Sequence, residues 1–173
     1  MIGWNGDSAY TARAVRDLGE VEQLASCLLP AAGISAPPVP ENIVAFCDSG
    51  RPVKIYRRPL GAMHGLLEPS PEGWLIIVNE RLPRGAQRFS IAHEAFHLLQ
   101  RSGRVCLPHV GGGGPEYQEW LADAFAARLL MPRRWLVEIS ARRVDLGMLA
   151  YIFRVSRRAM ERRLGELALH PGG

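Results

Sequence analysis

The sequence predicts an α+β fold: a small three-stranded antiparallel sheet packed on a helix that carries two histidines, with a helical, helix-turn-helix-like part toward the C-terminal end. Three observations carry that expectation. Three short β-prone runs, Val53 to Arg57, Met63 to Leu67 and Trp74 to Asn79, stand close together, separated by Pro59, Gly61, Pro69, Pro71 and Gly73. The stretch Ser90-Ile91-Ala92-His93-Glu94-Ala95-Phe96-His97-Leu98-Leu99 follows them, apolar around most of a helical circumference. From Arg133 onward the apolar spacing is helical throughout, broken at Arg154-Val155-Ser156.

Taken in order, Asp7 or Ser8 caps a first helix running to about Leu29, with Ala14, Val15, Leu18, Val21, Leu24, Ala25 and Leu28 as its apolar stripe and Pro30 and Gly33 ending it. Ser35 to Pro40 is a proline-rich connector, and 40–46 a short helix. The tight spacing of the strands favours antiparallel pairing, because a parallel crossover needs a dozen or more residues. Met63 to Leu67 is the expected edge strand, open to an added peptide strand. Leu82-Pro83-Arg84 leads into the histidine helix, about Gly85 to Arg101. Ser102 to Gly114 ends in four consecutive glycines with no Gly-Lys-Ser/Thr after them, so it is a flexible loop and not a phosphate loop. Pro115 to Met131 is a second amphipathic helix, followed by short helices over Arg133 to Ile139 and Asp145 to Phe153 and one capped by Ser156 and running to about Leu167.

At 173 residues, 47% hydrophobic and 22% charged, the chain is expected to be one domain, 1–173, with an N-terminal helical part (1–50), a core (51–132) and a helical part (133–170). The net charge of +4 suits an acidic or nucleic-acid partner without requiring one. Three widely spaced cysteines, Cys27, Cys47 and Cys106, make no disulfide framework, and neither a signal peptide nor a membrane span is visible, so a cytoplasmic protein is expected.

The chemistry sits in the histidine helix. At about 100° per residue His93 and His97 fall on nearly one line with Glu94 beside them, the arrangement of a zinc hydrolase with two imidazole ligands and a carboxylate near the metal's water. The plainer alternative is a pair of hydrogen-bonded core histidines. Glu119 and Asp123, also four apart, share a face of the next helix. A catalytic zinc takes three protein ligands and leaves a fourth position open, and its histidines donate their second ring N–H to a carboxylate. Glu119 is therefore the candidate third ligand and Asp123 the partner of an imidazole, His93 first. The plainer alternative here is a solvated acidic face. His64, His109 and Tyr117 are candidates for contacts to substrate or to the oxyanion formed in hydrolysis, against ordinary surface or hydrogen-bonded roles.

Arg88-Phe89-Ser90-Ile91-Ala92-His93-Glu94-Ala95-Phe96-His97, followed by Glu119-Trp120-Leu121-Ala122-Asp123-Ala124-Phe125-Ala126-Ala127-Arg128-Leu129-Leu130-Met131-Pro132, resembles the ImmA/IrrE family of metallopeptidases, and more widely the thermolysin-like, gluzincin-type group. The similarity runs from about Val53 to Leu167 and includes Leu149-Ala150-x-x-Phe153-x-Val155-Ser156-x-x-Ala159-Met160. One departure is Phe96, where many members have glycine; a ring there either narrows the cleft or fills core. The resemblance implies one Zn2+ (or another divalent transition metal such as Mn2+) held by His93, His97 and Glu119, Glu94 as general base, and an endopeptidase. Its implied substrate is a helix-turn-helix repressor or antitoxin-like regulator, cut to relieve repression in stress-responsive transcription. The competing expectation is a DNA-binding or partner-binding regulator with a non-catalytic metal site, since nine arginines stand against Glu138, Asp145 and Glu161 between Arg133 and Arg163. A deformylase-like amidohydrolase lacks the glycine-rich and cysteine-containing motifs it would need.

Overall fold

The structure is a computed structural model that describes residues 8–48, 50–103 and 114–172. The Asp7 cap, Cys106, His109 and the glycine-rich loop lie outside the described residues. Helix α1 (Ser8–Ala31) buries Val21, Ala25, Leu28 and Leu29 and carries Pro30 in its last turn. A short 3-10 helix, Glu41–Phe46, follows and buries Ile43 and Val44.

Three strands form one sheet: β1 (Val53–Arg58), β2 (Gly65–Ser70) and β3 (Gly73–Asn79). Its order is β1-β3-β2, so β3 is central, and its Trp74, Ile76 and Val78 are buried. The three strands read from the sequence are present, with β2 shifted so that Pro69 lies inside it, but the all-antiparallel pairing is not. β2 pairs antiparallel with β3, Leu67 opposite Ile76, whereas β1 pairs parallel with β3, Ile55 opposite Ile76. The crossover from β1 to β3 covers residues 59–72, long enough for a parallel connection, and β2 itself occupies part of it. The β2–β3 turn ends at Gly73, whose φ of 154° and approach to Pro52 exclude a side chain: a Cβ there would stand 2.1 Å from the Pro52 carbonyl oxygen. The Trp74 N–H donates to that same oxygen at 2.8 Å, which is how the chain entering β1 is locked against β3.

Helix α2 (Arg84–Arg101) lies on β2 and β3, α3 (Gly114–Leu130) packs on α2, and α1 packs on α3. Ile91, Ala95, Phe96, Leu98 and Leu99 of α2 meet Leu121, Phe125 and Leu129 of α3 in one hydrophobic cluster. Phe96 is fully buried, with its ring 5.5 Å from that of Phe125 between centroids, so this ring fills core. The remaining helices are α4 (Arg133–Ser140), α5 (Leu146–Phe153) and α6 (Arg157–Glu166). Asp145 caps α5 by accepting from the N–H groups of Gly147 (2.7 Å) and Met148 (3.0 Å), and Ser156 caps α6 by accepting from Ala159 N–H (3.1 Å). Arg163 of α6 is 1% exposed and is held by Glu22 of α1 and Glu166, so one of the nine arginines of the tail belongs to the interior. Among the described residues, no helix is long and apolar enough to cross a membrane.

Candidate metal centre

Helical periodicity alone puts His93 and His97 on one face of α2, one turn apart; what it cannot supply is a partner helix at the right height. The α2–α3 core supplies it, together with a bond from the Gln100 side-chain amide to the Gln118 side-chain oxygen, 2.8 Å. The result brings Glu119 and Asp123 of α3 over the two rings. His93 Nδ1 lies 2.9 Å from Asp123 Oδ1, and His93 Nε2 lies 3.1 Å from Glu119 Oε2. His97 Nε2 is 3.2 Å from His93 Nε2 and 3.3 Å from Glu119 Oε1.

This donor set fits a metal ion. A neutral His93 that gives its Nδ1 proton to Asp123 points a lone pair from Nε2 at a carboxylate oxygen and at a second imidazole nitrogen, an assembly of acceptors that calls for a cation at its centre. Donors about 2.0–2.2 Å from a tetrahedral zinc stand about 3.3–3.6 Å from one another, close to the 3.1 to 3.3 Å separations found here. Glu119 is well exposed on one side, which leaves an approach open.

Glu94 sits next to these donors, buried against β2. Gly65 makes that possible: a Cβ at residue 65 would come within 3.2 Å of Glu94 Oε1. Burial raises the Glu94 pKa above the ordinary carboxylate value, with the charge of Glu119 adding to it and that of His93 opposing it. For His93 burial works against protonation, but the Asp123 hydrogen bond and the surrounding carboxylates outweigh it and its pKa is raised. His97 goes the other way, lowered by burial and by the charge of His93.

The centre opens into a cleft of about 720 Å³, bounded by the start of β2, by α2 and α3, and by the first turns of α6. His64 lines it. Tyr117 does not: it is buried, and its hydroxyl donates to Asp17 of α1 at 2.7 Å, so the structure places this oxyanion candidate in the α1–α3 interface.

Comparison with known proteins gives a peptidase family model, the IrrE N-terminal-like domain, matching residues 49–165. The chain belongs to this family. It is a family of metallopeptidases and regulators, and the His93, His97 and Glu119 cluster lies inside the matched region of this IrrE-like chain. A solved structure of a Mycobacterium tuberculosis transcriptional regulator has the same fold, with a TM-score of 0.60 at 18% identity, over 85% of this chain and 46% of that one. The IrrE-like chain thus spans less than half the length of that regulator. No curated protein matches.

Three contributors to the IrrE-like site escape a reading of the sequence. Gly65 makes room for Glu94, as described. Asn79, at the end of β3, donates from its amide to the carbonyls of Gly61 (3.0 Å) and Met63 (2.9 Å), and its N–H donates to the His64 carbonyl (2.9 Å), fixing the segment that carries His64 to the cleft. An asparagine ending a strand before a turn was the available signal. The third is α6, whose Arg158 and Arg162 line the cleft from the far end of the chain and have no local sequence link to the histidines.

Proposed function

We propose that this chain is a zinc-dependent endopeptidase that cleaves a helix-turn-helix repressor or antitoxin-like regulator. The observation that carries the reading is the convergence of His93, His97 and Glu119 from two helices, with the buried carboxyl of Glu94 beside them and an open cleft in front. Two imidazoles and a carboxylate are a zinc donor set, and Mn2+ is a second candidate occupant. A bound zinc ion supplies a water pKa lowered from about 15.7 to about 7 and polarises the scissile carbonyl.

The protein's own groups do the rest. Asp123 fixes the tautomer of His93 by accepting its Nδ1 proton, so that Nε2 faces the centre as a lone-pair donor. Glu94 takes a proton from the attacking water at its carboxylate oxygen and later delivers it to the leaving amine. Its raised pKa suits both halves of that task, because a weakly basic carboxylate would hold the proton too loosely. β2 is an edge strand, so its outer side is where an extended substrate segment would add as a strand beside Glu94, displacing the Arg101 side chain that donates to the Leu67 carbonyl at 3.4 Å.

The regulator reading rests on the exposed arginines of the tail. Against it stands the packing of α6, which buries Met160, Arg163 and Leu164 on one side and lines the cleft with Arg158 and Arg162 on another, leaving little of the helix for a DNA groove. The test is metal analysis of the purified protein together with incubation with a helix-turn-helix regulator encoded beside it. Glu94→Gln is expected to keep the metal and to cut cleavage by about 10²–10⁴-fold; His97→Ala is expected to lose both. Full proteolysis by Glu94→Gln would refute the assignment.

A further inference from the structure

The cleft has two chemically different ends. At one end Glu94, Glu119 and Asp123 surround the two histidines. Away from them the lining is Arg158, Glu161 and Arg162 of α6 together with the apolar Met63, Phe89 and Ala159. Both guanidinium groups belong to exposed residues, and among the described residues neither has a carboxylate within salt-bridge distance, although Glu161 lies between them in sequence. The Arg162 guanidinium carbon lies 6.0 Å from the centre of the Phe89 ring, which holds the cation above that ring. Met63 is 55% exposed, yet Asn79 grips its carbonyl, so its side chain is presented to the cleft from an anchored backbone.

Two cations without salt-bridge partners, set against the single carboxylate of Glu161 and beside apolar side chains, leave this part of the cleft predominantly positive. We infer that the cleft selects peptides carrying an apolar side chain, seated on Met63 and Phe89, next to acidic side chains that pair with Arg158 and Arg162. Four residues along α6 advance about 6 Å, nearly the rise of about 6.6 Å over two residues of an extended peptide, so the best ligand carries its acids at positions i and i+2, on one face of the strand. Arg158 and Arg162 are specificity residues in this scheme, which rests on the peptidase reading above.

The experiment uses fluorescein-labelled ten-residue peptides that share an apolar anchor and differ only in a Glu-x-Glu, Gln-x-Gln or Lys-x-Lys pair beside it. Their binding to the Glu94→Gln protein, read by anisotropy, is separated from turnover. The Glu-x-Glu peptide is expected to bind about tenfold tighter than the Gln-x-Gln peptide at low salt, with the margin shrinking as salt rises. In the added R158E/R162E background the order is expected to invert toward Lys-x-Lys, with R158A/R162A levelling the three. Equal affinities, a preference that survives charge reversal, or no binding of any peptide overturns the inference. Wild-type protein incubated with the same peptides separates the two claims: a charge preference without any cleavage sinks the peptidase reading alone, and cleavage blind to charge sinks this one alone.

Discussion

Burial is what sets the chemistry of Glu94. Its carboxyl is closed over by β2 at Gly65, and burial first, then the charge of Glu119, makes the ionised form costly. Because its pKa is raised in the folded chain, the folded state holds the Glu94 proton more tightly than the unfolded state does. The stabilisation this gives is complete below the ordinary carboxylate value, about 4.3, and is lost as pH rises through the raised one. Glutamine keeps the shape of the neutral acid at every pH. Metal-free Glu94→Gln is therefore expected to resist urea better than the metal-free wild type at pH 7, with the advantage shrinking toward zero as the pH falls to about 4; a variant less stable at pH 7 would contradict the burial argument. At this scale, the residues that sequence made legible are those tied to helical periodicity. His93, Glu94 and His97, and separately Glu119 and Asp123, stand at spacings that a helix turns into shared faces. Gly65 and Asn79 have no such pattern, since their effect depends on what another element brings against them, and the partner of Tyr117, Asp17 of α1, lies a hundred residues away, where no local pattern points to it.

The helices were legible from their caps and stripes: Asp145 and Ser156 start α5 and α6 as read, and Pro83 precedes α2. The sheet was legible as strands and illegible as topology. Local turn lengths favour pairing neighbours, and here β1 skips its neighbour to lie parallel on the far side of β3, with Ile55 in register with Ile76 of the central strand. Equally hidden was the ionic tie that joins α1, α3 and α6. Arg163, 1% exposed, donates to Glu22 at 2.9 Å and to Glu166 at 3.2 Å, while Arg128 of α3 approaches Glu22 within 3.1 Å. Removing one partner of a buried pair costs about 3–5 kcal/mol, because a charge is left uncompensated. Glu22 retains 32% of its side-chain exposure and Glu166 stays in place, so Glu22→Gln is expected to lose less, about 2–3 kcal/mol, measured by urea unfolding. Since the network touches none of the site residues, the variant's metal content is expected to be unchanged.

On the scale of the whole molecule, the candidate centre is framed by packing among side chains that are not themselves donors. Phe96 against Phe125, the Gln100–Gln118 bond and the buried α2–α3 interface already set the height of Glu119 over His93 and His97. α1 backs α3 from the other side through Val21, Ala25 and the Tyr117–Asp17 bond, so the helix that brings the third donor is itself clamped. A site built this way differs from a small zinc module, in which binding and folding are one event. Chelation is therefore expected to leave the helical circular dichroism intact while lowering the melting temperature, because an ion that binds only the folded chain stabilises it by about 2.7 kcal/mol when present at a hundredfold excess over its Kd. The shift is expected to return on adding Zn2+ and to be absent in His97→Ala, which lacks a donor but keeps the core. Loss of the helical signal on chelation would mean that the ion, and not the α2–α3 core, holds the two ligand helices together.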